Sequence, residues 1–399
     1  MQADAFVITN GVWRVLFSLA VKFYQPMKAH VRINKMDRRD TARQFLFSGD
    51  YIDEASINLG HINDTYVLSC SQPTGEIQRY LLQKINRSVF KNPPGLMQNI
   101  TRVCQHLHTR ISASGGDPTR EALTLIETRD HSSFYHDPAG EFWRAFIFIE
   151  NARTYETARS QQQIYQAALA FGTFQQQLSD FPVERLIDTI PGFHDTPARF
   201  EAFTSAVLSD LSNRAALVKQ EIAAIEKREA DTRVIAECLS KGEIPLRVVH
   251  NDAKINNVMI DDQTGKAICI LDLDTVMPGA ASFDFGDLVR SAAAMTFEDD
   301  PDFNRAGLSL KYFESLVNGY LEATRGFLSP NEIEYLAFSA RLITLEQAIR
   351  FLTDYLNGDV YYKIHRPGQN LDRARTQISM LMDMEKKFDQ MCSLVRKYC

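Results

Sequence analysis

Only six cysteines occur in the 399-residue chain, Cys70, Cys104, Cys238, Cys269, Cys392 and Cys399, and none forms a CxxC pair or sits at a Cys/His spacing that suits zinc. Scattered thiols of this kind exclude a disulfide scaffold and a structural zinc site, and they fit a reducing, cytoplasmic compartment. There is no run of lysine and arginine either. With 44 basic residues against 50 acidic ones the formal charge is −6, so the positive face that a nucleic-acid partner demands is missing. The patterns GxxxxGK[ST], HExxH, GxSxG and GxGxxG after a strand are all absent. Their absence argues against P-loop enzymes, zinc peptidases, nucleophile-elbow hydrolases and dinucleotide-binding folds. Internal repeats, heptads and low-complexity tracts are lacking too.

The most apolar stretch, Ala5 to Tyr24, is interrupted by Arg14 and Lys22. It suits neither a spanning helix of about 20 residues nor a signal peptide. Residues 1–35 are therefore read as an extension ahead of the functional body, with no membrane among the expected partners. N-x-[ST] sequons begin at Asn63, Asn86 and Asn99, but they have no use as glycan acceptors in a cytoplasmic protein.

What remains is a chain with 45% hydrophobic residues, enough for a large core in a two-lobed unit. From Tyr51 onward, alternating apolar residues flank the turn residues Pro73, Thr74 and Gly75, which predicts a hairpin, and Gly60 breaks the preceding strand. The spacing of Leu96, Ile100, Val103 and Leu107 behind two prolines predicts a helix. EALTLIET and EFWRAFIFIE read as an antiparallel pair ending near Glu150. Beyond Asn151, helical patterns cover 157–178, 196–239, 309–324, 331–356 and 371–397, with one strand-rich island from Pro245 to Gly279. The expected fold is α+β and bilobal, protein-kinase-like: an N-terminal antiparallel β-sheet lobe (36–150) and a larger, mainly helical C-terminal lobe (151–399).

The island carries the chemistry. His250-Asn251-Asp252 is followed by Asn257, and Asp272 then closes the apolar strand 267–271. Phosphoryl transfer needs an aspartate to take the proton of the attacking hydroxyl, a downstream asparagine on the metal, and a second aspartate on the metal that bridges the phosphates. All three occur here in that order. His106 with His108, and His131 with His136, have no Cys or carboxylate partner at zinc spacing and are read as ordinary core or surface histidines.

HNDAKINN (250–257), ILDLDTVMPG (270–279) and FDFGDLVRSAA (283–293) resemble the aminoglycoside phosphotransferase and choline kinase-like superfamily. Within it, GHINDTY (60–66), FHDTPARFEAF (193–203), RFLTDYLNGDVYY (350–362) and NLDRARTQ (370–377) are similar to the kinases that phosphorylate N-acetylhexosamines at C1. The resemblance spans residues 40 to 385. It implies ATP and Mg²⁺ as cofactors, bound between the lobes, and a sugar on the helical lobe. Asp252 is then the base toward the anomeric hydroxyl of N-acetylglucosamine or N-acetylgalactosamine, and Asn257 and Asp272 hold Mg²⁺. Gly60, His61 and Asn63 cover phosphate and sugar, Phe148, Ile149 and Glu150 form the adenine hinge, and Arg350 and Tyr361 contact the sugar. Kinases of choline, homoserine or aminoglycosides, and a nucleotide-binding pseudokinase, are the alternatives.

Two departures stand out. The register that normally carries a lysine offers Gln83, with Lys84 one residue on and so on the opposite face. The helix 95–111 has no acidic residue, so the usual lysine–glutamate pair is impossible there. A neutral arrangement of Gln83 with Asn99 is the expectation in its place.

Overall fold

After a short helix (Arg38–Ala42) come three strands, β1 (Asp50–Ile57), β2 (Asp64–Ser71) and β3 (Ile77–Lys84), with β2 antiparallel to both β1 and β3. A computed structural model describes residues 38–57, 62–158 and 160–399; residues 1–35, Gly60 and His61 lie outside them. Gly75, at φ 86°, closes the β2–β3 turn with its N–H on the Gln72 carbonyl at 2.9 Å. After α1 (Pro93–Ala113), the short strands β4 (Leu125–Ile126) and β5 (Tyr135–His136) and the longer β6 (Phe142–Ile147) complete an antiparallel sheet of order β1-β2-β3-β6-β4. β5 also pairs with β6. EALTLIET and EFWRAFIFIE pair as expected, Leu125 opposite Phe146.

Period-two burial gives this sheet two distinct faces. Leu68, Cys70, Tyr80, Leu82, Trp143 and Ala145 form an apolar layer with Phe45. The opposite face of β3 and β6 carries Leu81, Phe146, Gln83 and Arg144, with Leu81 and Phe146 joining the main core. That core also takes in the buried side of α1: Leu96, Met97, Ile100, Val103, Leu107 and Ile111. Asn92 caps α1, accepting from the Gly95 N–H at 3.1 Å ahead of the helix's apolar rhythm.

The chain then crosses through residues 148–151 into β7 (Ala152–Arg153), which pairs with β9 rather than with the first sheet. Beyond it come α2 (Gln161–Gln177), α3 (Thr196–Ser209), α4 (Glu229–Ser240), α5 (Ala281–Ala292), α6 (Leu310–Thr324), α7 (Leu336–Leu356), α8 (Gln369–Lys386) and α9 (Phe388–Tyr398). The island supplies β8 (Arg247–Val249), β9 (Val258–Asp261), β10 (Ala267–Ile270) and β11 (Met277–Gly279). β9 pairs with β10 and β8 with β11. The architecture is thus α+β, a sheet-rich N-terminal part and a helical C-terminal part.

Three long helical patterns are broken in the structure. Asp210 (φ 38°) and Asn213 (φ 54°) adopt left-handed backbone inside 196–239, a conformation that short polar side chains tolerate and helices do not. The pattern 331–356 divides at Tyr335, and 371–397 at Lys387. All six cysteines are free. Among the described residues no helix is long and apolar enough to cross a membrane.

Candidate active site

Between β8 and β9 the backbone turns sharply, with Asn251 in the left-handed region at φ 65°. His250 is fully buried against the edges of Phe171 and Phe174, and its Nε2 lies 2.8 Å from the Leu271 carbonyl. The Asn251 amide donates to the Thr275 carbonyl at 2.9 Å, and the Thr275 hydroxyl donates to the His250 carbonyl at 2.7 Å. These bonds lace the loop after β8 to the loop after β10. From α5 the buried Asp284 carboxylate accepts the N–H groups of His250 (2.9 Å) and Asn251 (2.7 Å), so two backbone donors in a tight turn are satisfied by one side chain.

Asp252, held by this scaffold, faces Lys254 Nζ at 2.5 Å. Burial acts to raise the Asp252 carboxyl, but the Lys254 ammonium outweighs it and holds the group below the ordinary carboxylate range. An ionised carboxylate is the state a proton acceptor requires. Asn257 donates to the Asp252 carbonyl at 2.8 Å, which leaves its amide oxygen for another partner. Asp272, at φ 57°, stands at the end of β10. The protein packed round it, then the charges of Asp274 and Asp252, push its carboxyl upward, although solvent still reaches the residue. A divalent cation at its oxygens would relieve that repulsion.

An amide oxygen and a carboxylate are hard donors that fit Mg²⁺, which is commonly held by one or two carboxylates plus substrate phosphates. Among the described residues no group of three or more His, Cys, Asp or Glu side chains converges as a metal cage, so phosphate oxygens would complete the shell. His106, His108 and His131 are engaged with Asp180, the Leu123 carbonyl and Glu127 respectively.

On the sheet side, Gln83 and Lys84 lie on opposite faces of β3. Lys84 pairs with its cross-strand neighbour Asp64 at 3.0 Å. Gln83 faces inward, its oxygen accepting from Arg144 Nε at 2.9 Å and its amide donating to the Thr65 hydroxyl at 3.1 Å. Arg144 in turn bonds Asp274 at 2.5 Å, and the two side chains are only 2% and 3% exposed. Asn63 donates to the other Asp274 oxygen at 2.7 Å and accepts from the Asn86 N–H at 2.9 Å. The expected neutral arrangement is therefore corrected: a buried arginine–aspartate pair occupies this place, because β6 brings an arginine opposite Gln83. Asn99 is not part of it. Its amide donates to the Ile187 and Val276 carbonyls (2.7 and 3.2 Å), and its oxygen accepts from the Ile187 N–H at 2.9 Å.

At the crossover, the Phe148 N–H donates to the Arg79 carbonyl at 3.1 Å, and the Glu150 carbonyl accepts from Arg120 at 2.6 Å. The Arg79 guanidinium lies 4.1 Å from the centre of the Phe148 ring and pairs with the Glu150 carboxylate. Ile149 is buried between them.

Arg350 comes from α7 and lies over the rings of Phe193 (5.2 Å) and Tyr362 (5.7 Å). Tyr361 is exposed and belongs to a loop whose consecutive N–H groups, from Val360, Tyr361 and Tyr362, all donate to the Asp354 carboxylate at 2.8–2.9 Å. Asn370 bonds both Asp354 and Asp359 at 2.9 Å, which ties the 370–377 motif to the 350–362 motif. Next to Phe193, His194 reaches the Asn251 carbonyl, so the 193–203 motif touches the catalytic loop. A cavity of about 480 Å³ opens beyond Phe193 and His194, walled by Ile235, Leu239, Met277 and Phe283; its lining includes Asn251 but not Asp252, Arg350 or Tyr361.

Four side chains that the sequence reading did not single out make contacts in this candidate site: Lys254, Asp284, Arg144 and His194. Arg144 had a signal, being the one charge inside an apolar strand, and Lys254 lies two residues from Asp252. The partners of Asp284 and His194 are distant in sequence and had none.

The sequence model of the phosphotransferase enzyme family matches residues 54–320. Among solved structures, an aminoglycoside phosphotransferase from Alicyclobacillus acidocaldarius superposes with a TM-score of 0.59 at 12% identity, covering 91% of this chain and 96% of the other. An amicoumacin kinase solved with AMP-PNP, Ca²⁺ and Ami gives a TM-score of 0.55 at 14% identity, with 87% and 94% covered. A microcompartment-associated aminopropanol kinase gives 0.53 at 14% identity, with 89% and 97% covered. At these identities the likeness is one of fold.

Proposed function

This chain belongs to the phosphotransferase enzyme family, and from that premise we propose that it is an ATP-dependent kinase of N-acetylhexosamines, acting on the anomeric C1 hydroxyl. The observation that carries the reading is the placement of Asp252 between Lys254 and Asn257, tied through His194 to the segment on which Arg350 lies. The nucleotide lies between the lobes 36–150 and 151–399, with adenine at 148–150, and the sugar lies toward Arg350 and Tyr361. The relatives solved as kinases of amicoumacin and aminopropanol, one with AMP-PNP and Ca²⁺, support a nucleotide and a divalent cation in this fold.

The chemistry follows from the positions. The C1 hydroxyl oxygen attacks the γ-phosphorus, and its proton passes to a carboxylate oxygen of Asp252. The new O–P bond forms as the bond from the γ-phosphorus to the β,γ-bridging oxygen breaks, and ADP leaves with that electron pair. Lys254, next to the base, balances negative charge that gathers at the transferring group. Asn257 and Asp272 would hold a Mg²⁺ ion, which would supply positive charge to offset that of the phosphates.

The acceptor side favours an uncharged substrate. Arg350 already occupies the ring faces of Phe193 and Tyr362, where a choline-like cation would have to bind, and its own positive charge would repel such a ligand. A guanidinium suits the carbonyl of an N-acetyl group and sugar hydroxyls. The deciding experiment is turnover with ATP and Mg²⁺ against N-acetylglucosamine, N-acetylgalactosamine, glucose, choline and kanamycin, with the phosphorylated position identified by phosphorus NMR. An anomeric phosphate on the N-acetylated sugars is expected; turnover confined to choline or kanamycin would overturn the sugar assignment.

A further inference from the structure

One buried ionisable pair has served so far only as a tie between segments. His194 is 4% exposed and Glu346 fully buried, and both ring nitrogens of His194 face acceptors. Nδ1 lies 2.8 Å from Glu346 Oε1, and Nε2 lies 3.0 Å from the Asn251 carbonyl oxygen. A peptide carbonyl can only accept, and an ionised carboxylate can only accept. A neutral imidazole has one N–H and would leave one contact with two lone pairs opposed. The other carboxylate oxygen of Glu346 accepts from the Thr196 hydroxyl at 2.7 Å, which favours its ionised form.

We propose that His194 is a positioning residue for phosphoryl transfer: it stands as an imidazolium between the Asn251 carbonyl and Glu346, fixes the peptide next to the base Asp252, and releases it on deprotonation. The inference rests on the reading of Asp252 as base, and it adds a regulator of that base by pH. Since Glu346 lies one helical turn before Arg350 on α7, the same grip ties the acceptor-binding helix to the catalytic loop.

The surroundings favour the charged ring. From α7 it faces Glu346, with Arg350 beyond; from α5 it faces Asp287 at longer range and the Phe283 ring at 5.1 Å. Its own segment contributes Asp195, which caps α3, and Asp188 lines the adjoining cavity. The catalytic loop contributes the uncharged Asn251 carbonyl. Burial acts to lower the imidazole, but Glu346 outweighs it and raises the group above the ordinary histidine value. The charged ring is therefore retained to higher pH than in a free histidine.

Two measurements on the full chain test this. In ¹⁵N-histidine-labelled protein at neutral pH, the ring signal absent from His194→Gln should show both nitrogens protonated; a neutral tautomer with the proton on Glu346 overturns the proposal. This arm needs no acceptor, so it stands or falls apart from the sugar reading. The second arm is the pH profile of kcat with saturating ATP and Mg²⁺, read with whichever acceptor is turned over or with slow ATP hydrolysis if none is. The wild type should show an alkaline limb, and Glu346→Gln should move it to lower pH by about one unit or more, because the imidazolium loses its counter-charge. A limb that stays in place while kcat falls at every pH would reduce His194 to a structural role.

Discussion

The Asp284 carboxylate accepts the Asn251 N–H at 2.7 Å, so the residue before the candidate base is held by a side chain 33 positions later in the chain. Asn251 is in left-handed backbone, and the local bonds from the Asp252 N–H to the His250 ring and from Asn257 to the Asp252 carbonyl leave its own N–H to Asp284. Asp284→Asn keeps the shape but has one acceptor oxygen for two donors. It is expected to cost about 1–3 kcal/mol through the N–H left unsatisfied. Loss of alignment at Asp252 should lower kcat by up to about 10²-fold. Steady-state kinetics beside urea unfolding separates the two effects, and unchanged kcat would remove Asp284 from the positioning of the loop.

Asp252 itself should be far more sensitive. Positioned proton transfer contributes roughly 10²–10⁴-fold, and Asp252→Asn is expected to lose that much in kcat with little change in nucleotide affinity. Turnover near the wild-type level would mean that some other group takes the proton.

The buried Arg144–Asp274 pair predicts a contrast on the sheet. Arg144→Met leaves an unpaired carboxylate in a dry site and should cost about 3–5 kcal/mol in urea unfolding. Lys84→Met breaks a half-exposed pair worth about 0–1 kcal/mol and should leave the KM for ATP unchanged. A severe ATP defect in the lysine variant, beside a normal Gln83→Ala protein, would return the lysine to the phosphate site.

Asp354 gathers three consecutive N–H groups under Tyr361 and Tyr362. On the proposed placing of the acceptor beside Arg350 and Tyr361, Asp354→Ala should loosen that loop and raise the acceptor KM by about tenfold or more while leaving the ATP KM in place. Equal rises in both would assign the loop to general stability.

Stability should depend on pH through His194 and Glu346. Burial acts to raise Glu346, yet His194 holds it below its ordinary 4.5. Its contribution is present above pH 4.5 and is lost as pH falls through the folded value. His194 is raised above its ordinary 6.5, so its contribution is complete below pH 6.5 and is lost as pH rises through the folded value. The pair stabilises fully from about pH 4.5 to 6.5. Unfolding free energies measured across this range should slope away on both sides in the wild type and less so in Glu346→Gln.

Much of this was legible because it is local. The period-two pattern of YLLQKIN put Gln83 and Lys84 on opposite faces, and the structure separates them in that way. The order of His250, Asp252, Asn257 and Asp272 along short strands marked the island, and the structure gathers these residues on the loops after β8 and β10. Partner choice across the sheet was not legible. Nothing in β3 says that β6 will lie beside it and set Arg144 opposite Gln83, so an ion pair was read as a neutral one. The same holds for Asn99, whose partners Ile187 and Val276 are 88 and 177 residues away. Helix breaks at Asp210 and Asn213 escaped notice because apolar spacing alone runs through them.

The bond between Arg144 and Asp274 joins the first sheet to the segment after β10, and Asn63, in the bend just before β2, adds a second grip on the same carboxylate. Asp272 lies two residues before Asp274, so the candidate metal carboxylate takes its position from one buried ion pair and, through it, from the register of β3 and β6.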